Sequence, residues 1–88
     1  MEKRYFHVGN AELRTEEGED FKLLYYIAEN GEAYSIKIER VGTDGSMTME
    51  ESKGLTCSRD EIEALAKTFM EGAVTPTHLH EHIDNFIG

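Results

Sequence analysis

The sequence predicts an α+β domain of order ββββαα: a four-stranded antiparallel meander with two C-terminal helices on one face. Three observations carry this reading. Gly18, Gly31 and Gly45, each among turn formers, cut the first two thirds of the chain into strand-length runs. Within those runs apolar and polar residues alternate with period two. After Cys57 the apolar period becomes helical.

The central hairpin is the clearest element. Asn30-Gly31 favours a tight type I′ turn. A two-residue loop there sets Ile27 against Tyr34, Tyr25 against Ile36 and Leu23 against Ile38. These six side chains share one face. The opposite face carries Tyr26, Leu24 and Lys22 against Ser35, Lys37 and Glu39. An odd-length loop around Glu17-Gly18-Glu19 pairs Leu13 with Leu23 and Ala11 with Tyr25. A bulge at Gly9-Asn10 returns Phe6 and Val8 to the core face. The Asp44-Gly45 turn sets Met49 against Arg40 and Met47 beside Gly42. The strands therefore read as about 3–15, 20–29, 32–41 and 46–52.

The first helix opens on Ser58-Arg59-Asp60-Glu61, a capping box in which Ser58 caps and Glu61 reaches back. Ile62, Leu65, Ala66, Phe69 and Met70 form its buried stripe, and Gly72 stands where a C-terminal cap belongs. The second helix opens at Thr75-Pro76, with Thr75 as cap and Pro76 in the first helical position. Its stripe is Leu79, Ile83, Phe86 and Ile87. Two amphipathic helices beside a one-sided sheet cover its apolar face. The 88 residues make one domain, 1–88.

Composition narrows the function classes. Eighteen Asp and Glu against nine Lys and Arg give a net charge of -9, which disfavours nucleic acid as a partner. No apolar run approaches a membrane span, and Met1-Glu2-Lys3-Arg4-Tyr5 is not followed by the apolar stretch of a signal peptide. A single cysteine, Cys57, forms no internal disulfide, so a reducing, cytoplasmic compartment is expected.

Few residues point to chemistry. Thr77-His78-Leu79-His80-Glu81-His82 concentrates three imidazoles. On a helix His78 and His82 share a face at the spacing of two metal ligands, while His80 points about 200° away from His78. The pair lacks the inner glutamate of a zinc-protease helix, and border positions on a buried stripe account for the same residues. Cys57 sits before a helix N-terminus, where thiols can become reactive, but has no C-x-x-C partner. Glu16, Glu17, Glu19 and Asp20 crowd a hairpin tip without calcium-loop spacing. No phosphate-binding loop, dinucleotide fingerprint or nucleophile elbow occurs. No enzyme activity and no cofactor are expected.

Leu24 and Tyr26 remain. They lie on the face turned away from the helices, where apolar side chains mark an interface. The expected function is a small acidic interaction module that binds a second copy or another protein through this face or an edge strand. The alternatives are metal binding by His78 and His82, and an acidic surface that engages a basic partner.

The tail Ala73-Val74-Thr75-Pro76-Thr77-His78-Leu79-His80-Glu81-His82-Ile83-Asp84-Asn85-Phe86, behind a Ser-capped helix and a meander, resembles the closing segment of a family of small uncharacterised proteins from Gram-positive anaerobic bacteria. The resemblance implies a bacterial cytoplasmic protein and supplies no catalytic residue.

Overall fold

The computed structural model describes residues 3–87, with side chains described through Asp84. Four strands form one antiparallel sheet in chain order: β1 (Arg4–Arg14), β2 (Asp20–Asn30), β3 (Ala33–Gly42) and β4 (Met47–Glu51). Helix α1 (Arg59–Glu71) follows, then a 3₁₀ turn (Pro76–His78) that runs into α2 (Leu79–Ile87). This is the ββββαα order expected from the sequence.

The core is a single layer between sheet and helices. Leu23, Tyr25, Ile27, Ile36 and Ile38 supply the sheet side; Ile62, Leu65, Ala66, Phe69, Leu79 and Ile83 supply the helix side. Helix α1 packs on β1, β2 and β3, and the 3₁₀ turn packs on β3 and β4. Phe86 and Ile87, expected in the second helix's stripe, lie outside the described side chains.

The registers differ from expectation in an instructive way. In the central hairpin Ile27 faces Ile36 and Tyr25 faces Ile38, two residues away from the expected pairing. The loop is Gly31-Glu32, between the paired Asn30 and Ala33. Gly31 holds φ 67° at the first central position, the arrangement of a type II′ turn. In the first hairpin Leu13 faces Phe21 and Ala11 faces Leu23, again a two-residue slip. Because side chains alternate with period two, an even slip leaves every residue on its expected face.

The third hairpin slips by one. Met47 pairs with Val41 and Met49 with Glu39. An odd slip flips β4, so both methionines leave the core face and stand 57% and 45% exposed on the other side. The loop explains it. Gly42 N donates to Ser46 O at 2.9 Å, which leaves Thr43-Asp44-Gly45 as a three-residue loop with Gly45 at φ 88°. The first hairpin uses the same device. Thr15 N donates to Glu19 O at 2.8 Å around Glu16-Glu17-Gly18, with Gly18 at φ 89°. Both match a turn closed by a left-handed glycine. The bulge in β1 falls between His7 and Gly9 rather than at Gly9-Asn10, and it leaves Phe6 and Val8 packed on the core as expected.

Helix α1 is capped by Ser58, whose Oγ accepts from Glu61 N at 3.3 Å. The return arm of the box is relayed. Glu61 Oε2 accepts from Thr56 Oγ1 at 2.6 Å, and Thr56 Oγ1 accepts from Ser58 N at 3.1 Å. At the C-terminus Gly72 is right-handed at φ -84°, and the left-handed residue is Ala73 at φ 51°. Val74 N donates to Phe69 O and Ala73 N to Met70 O, the two bonds of a Schellman motif with alanine where glycine is preferred. Thr75 makes no side-chain cap; Pro76 opens a 3₁₀ turn instead of the helix itself.

One hydrogen bond ties the layers together. The hydroxyl of buried Tyr25, in the middle of the sheet, donates to the Val74 carbonyl at 2.9 Å. Burial pushes that hydroxyl's pKa up to about 12. The unfolded tyrosine ionises near 10. Between those values the unfolded chain releases a proton that the folded chain keeps, so this stability is present below pH 10 and lost as pH rises towards 12.

Ala73→Gly relieves the left-handed strain and raises stability by about 0.5–1 kcal/mol in thermal denaturation followed by circular dichroism. Gly72→Ala, whose Cβ would meet only ordinary contacts, leaves the helix end folded. Tyr25→Phe strands the Val74 carbonyl and costs about 1–3 kcal/mol in urea unfolding. It also flattens the alkaline loss of stability that the native chain shows above pH 10.

Candidate functional site

The outer face of the sheet, opposite the helices, is built by alternate residues of all four strands. From β1 it takes Tyr5, His7, Asn10, Glu12 and Arg14; from β2, Asp20, Lys22, Leu24, Tyr26 and Ala28. From β3 it takes Ser35, Lys37, Glu39 and Val41; from β4, Met47, Met49 and Glu51. Leu24 and Tyr26 stand here as expected, both half-buried. They are joined by Val41, by exposed Met47 and Met49, and by Tyr5 at 44% exposure.

One end of this face is latched across its width. Tyr5, on the β1 edge, donates its hydroxyl to Glu51 Oε1 on the opposite edge at 2.8 Å. The residues beside Tyr5 at that level of β2 and β3 are Ala28 and Ser35, small and buried, so a ring can lie across them. The Lys37 ammonium stands 4.7 Å from the Tyr5 ring centre and 5.7 Å from that of Tyr26. Lys3 closes the latch by pairing with Glu51. Behind Tyr26 the His7 ring packs at 5.3 Å, and His7 Nε2 meets Asn10 Oδ1 at 2.6 Å.

The electrostatics follow from these contacts. At Glu51 burial acts to raise the pKa, but the hydrogen bonds from Lys3 and Tyr5 outweigh it and hold the carboxyl below its ordinary value. Lys37 is raised, first by its hydrogen bond to Glu39. Tyr26 is raised, first by burial and then by the Glu39 charge.

Every cation of the face is matched. Lys3 pairs with Glu51, Arg14 with Asp20 at 2.9 Å, Lys22 with Glu12 at 3.8 Å and Lys37 with Glu39 at 3.0 Å. With Lys3, which precedes β1 and joins the face through Glu51, four positive charges meet the four negative ones and leave the face neutral, so the chain's net charge of -9 resides elsewhere.

The three C-terminal histidines each meet a different neighbour. His78 closes the 3₁₀ turn and His82 lies one turn on, in the α2 helix that follows it directly. His78 Nδ1 lies 3.3 Å from Glu81, His80 Nε2 lies 3.5 Å from Glu50, and the His82 ring meets the Phe69 ring at 5.8 Å. Among the described residues no group of three or more His, Cys, Asp or Glu side chains is placed to hold a metal ion. Cys57 is exposed, one residue before the α1 cap. No described helix is long and apolar enough to cross a membrane.

Residues 4–88 match the model of a family of unknown function, DUF6514. The chain belongs to this family. No curated protein and no solved structure matches it.

Sequence reasoning missed Tyr5, Val41, Met47 and Met49 as members of the face. For the methionines the signal was present in Gly45: glycine at the third position of a three-residue loop fixes the odd register. The latch makes a prediction. Because the folded Glu51 pKa is depressed, its contribution is present above the unfolded value near 4.3 and is lost as pH falls through the folded value. Glu51→Gln therefore flattens the acid limb of the stability–pH curve in urea titrations between about pH 2 and 6.

Proposed function

We propose that this protein is a non-enzymatic interaction module that self-associates through the outer face of its sheet, in the cytoplasm of a bacterium. The observation that carries the proposal is the neutrality of that face on a chain of net charge -9. The rest of the surface carries the excess negative charge as a whole, and two copies meeting over most of it bring that charge together. Two copies meeting here bring together balanced ion pairs and the apolar surface of Leu24, Tyr26, Val41, Met47 and Met49.

Size supports the same reading. The molecule extends 41 × 29 Å along its two longest axes. That leaves room for the roughly 800 Å² per partner that a stable interface occupies. A two-fold arrangement of sheet on sheet would bury both faces in one closed contact.

The test is solution mass by size-exclusion chromatography with light scattering near neutral pH. The native chain is expected at about 20 kDa, twice its 10.0 kDa mass. Leu24→Glu with Met49→Glu adds like charges to both copies and returns the mass to that of one chain, with the circular dichroism spectrum unchanged. A native monomer at every concentration, or a variant that stays dimeric, overturns the proposal.

A further inference from the structure

Beside the outer face lies a second surface of different character. A groove of about 590 Å³ runs along the seam between β1 and α1. Phe6, Val8, Ile27 and Met70 give it an apolar lining, and the exposed flank of α1 forms its wall. The β1 bulge falls at Val8, and the missing side chain at Gly9 lets Met70 pack against the strand there: a Cβ at Gly9 would run into the Met70 sulfur.

Two features say what fits. First, β1 is an edge strand eleven residues long. Among the described residues no backbone hydrogen bond from outside the sheet reaches residues 4–14. Its free N–H and C=O groups are a template for one more strand. Second, the charge of the wall departs from that of the chain. Arg59 stacks on the Phe6 ring at 4.7 Å and pairs with Glu63 at 3.2 Å, while Lys67 makes no ion pair among the described residues. The lining therefore carries net positive charge on a strongly acidic protein.

We infer that this groove binds an extended acidic peptide segment of another protein, added as a strand to the free edge of β1. Alternate side chains of the added strand point into the groove. An apolar one covers Phe6, Val8 and Met70, and carboxylates two residues to either side reach the Lys67 and Arg59 rim. The overall negative charge of the chain opposes this only at long range; at physiological salt it is screened beyond about 8 Å.

The probe is a fluorescein-labelled peptide, Glu-Ser-Glu-Thr-Val-Thr-Glu-Ser-Glu, titrated with the full chain and followed by fluorescence anisotropy. Saturable binding is expected, weakened about tenfold or more by Lys67→Glu and unchanged by Lys53→Glu, an exposed lysine outside the groove. Successive residues of a strand point their N–H groups to opposite edges, so N-methylation of both the central Val and the Thr after it removes a strand hydrogen bond in either direction of the added strand and is expected to abolish binding. No binding, equal binding of a peptide with Lys for every Glu, or indifference to Lys67→Glu or to N-methylation overturns the inference. Repeating the titration on the Leu24→Glu/Met49→Glu chain separates this groove from the outer face, because neither substitution touches it.

Discussion

Strand register is the constraint on which the rest of this molecule depends. A sheet with one buried face tolerates an error of two residues in pairing but not of one. The three hairpins each fix register by where glycine sits in the loop: first in Gly31-Glu32, and third in both Glu16-Glu17-Gly18 and Thr43-Asp44-Gly45. Those glycines decide that Leu23, Tyr25, Ile36 and Ile38 meet the helices. They also decide that Leu24, Tyr26, Met47 and Met49 face the other way.

From register follows the division of labour between the faces. The inner face is closed by α1 and the 3₁₀ turn, with the Tyr25 hydroxyl locked to Val74 between the two helical elements. The outer face is left to side chains alone. There Tyr5 and Glu51 reach across Ala28 and Ser35 from opposite edges, and four ion pairs balance the charge. The face is thus part apolar and electrically quiet on a chain of net charge -9. The β1–α1 groove arises from the same geometry, because α1 lies over an edge strand that has no further strand beyond it among the described residues.

Much of this was legible in the sequence, and the failures have physical causes. The strands, α1 and its Ser58 cap followed from period and turn chemistry. The two even slips did no harm, so the core residues and the orientation of Leu24 and Tyr26 were read correctly. The β4 slip was odd, and it hid Met47 and Met49. Ala73 in the left-handed position was not readable, since Gly72 beside it is the residue that position favours. The latch was hidden for a different reason. It joins Tyr5 to Glu51, forty-six positions apart, through the first and last strands of the sheet.

The most direct test of this account is methionine oxidation by dilute peroxide, read by peptide mass spectrometry at low and high protein concentration. Met47 and Met49 should oxidise readily in dilute protein and become protected as concentration rises, while half-buried Met70 keeps one rate throughout. Slow oxidation of Met47 and Met49 even in dilute protein would contradict the β4 register, and rapid oxidation at every concentration would contradict association through this face.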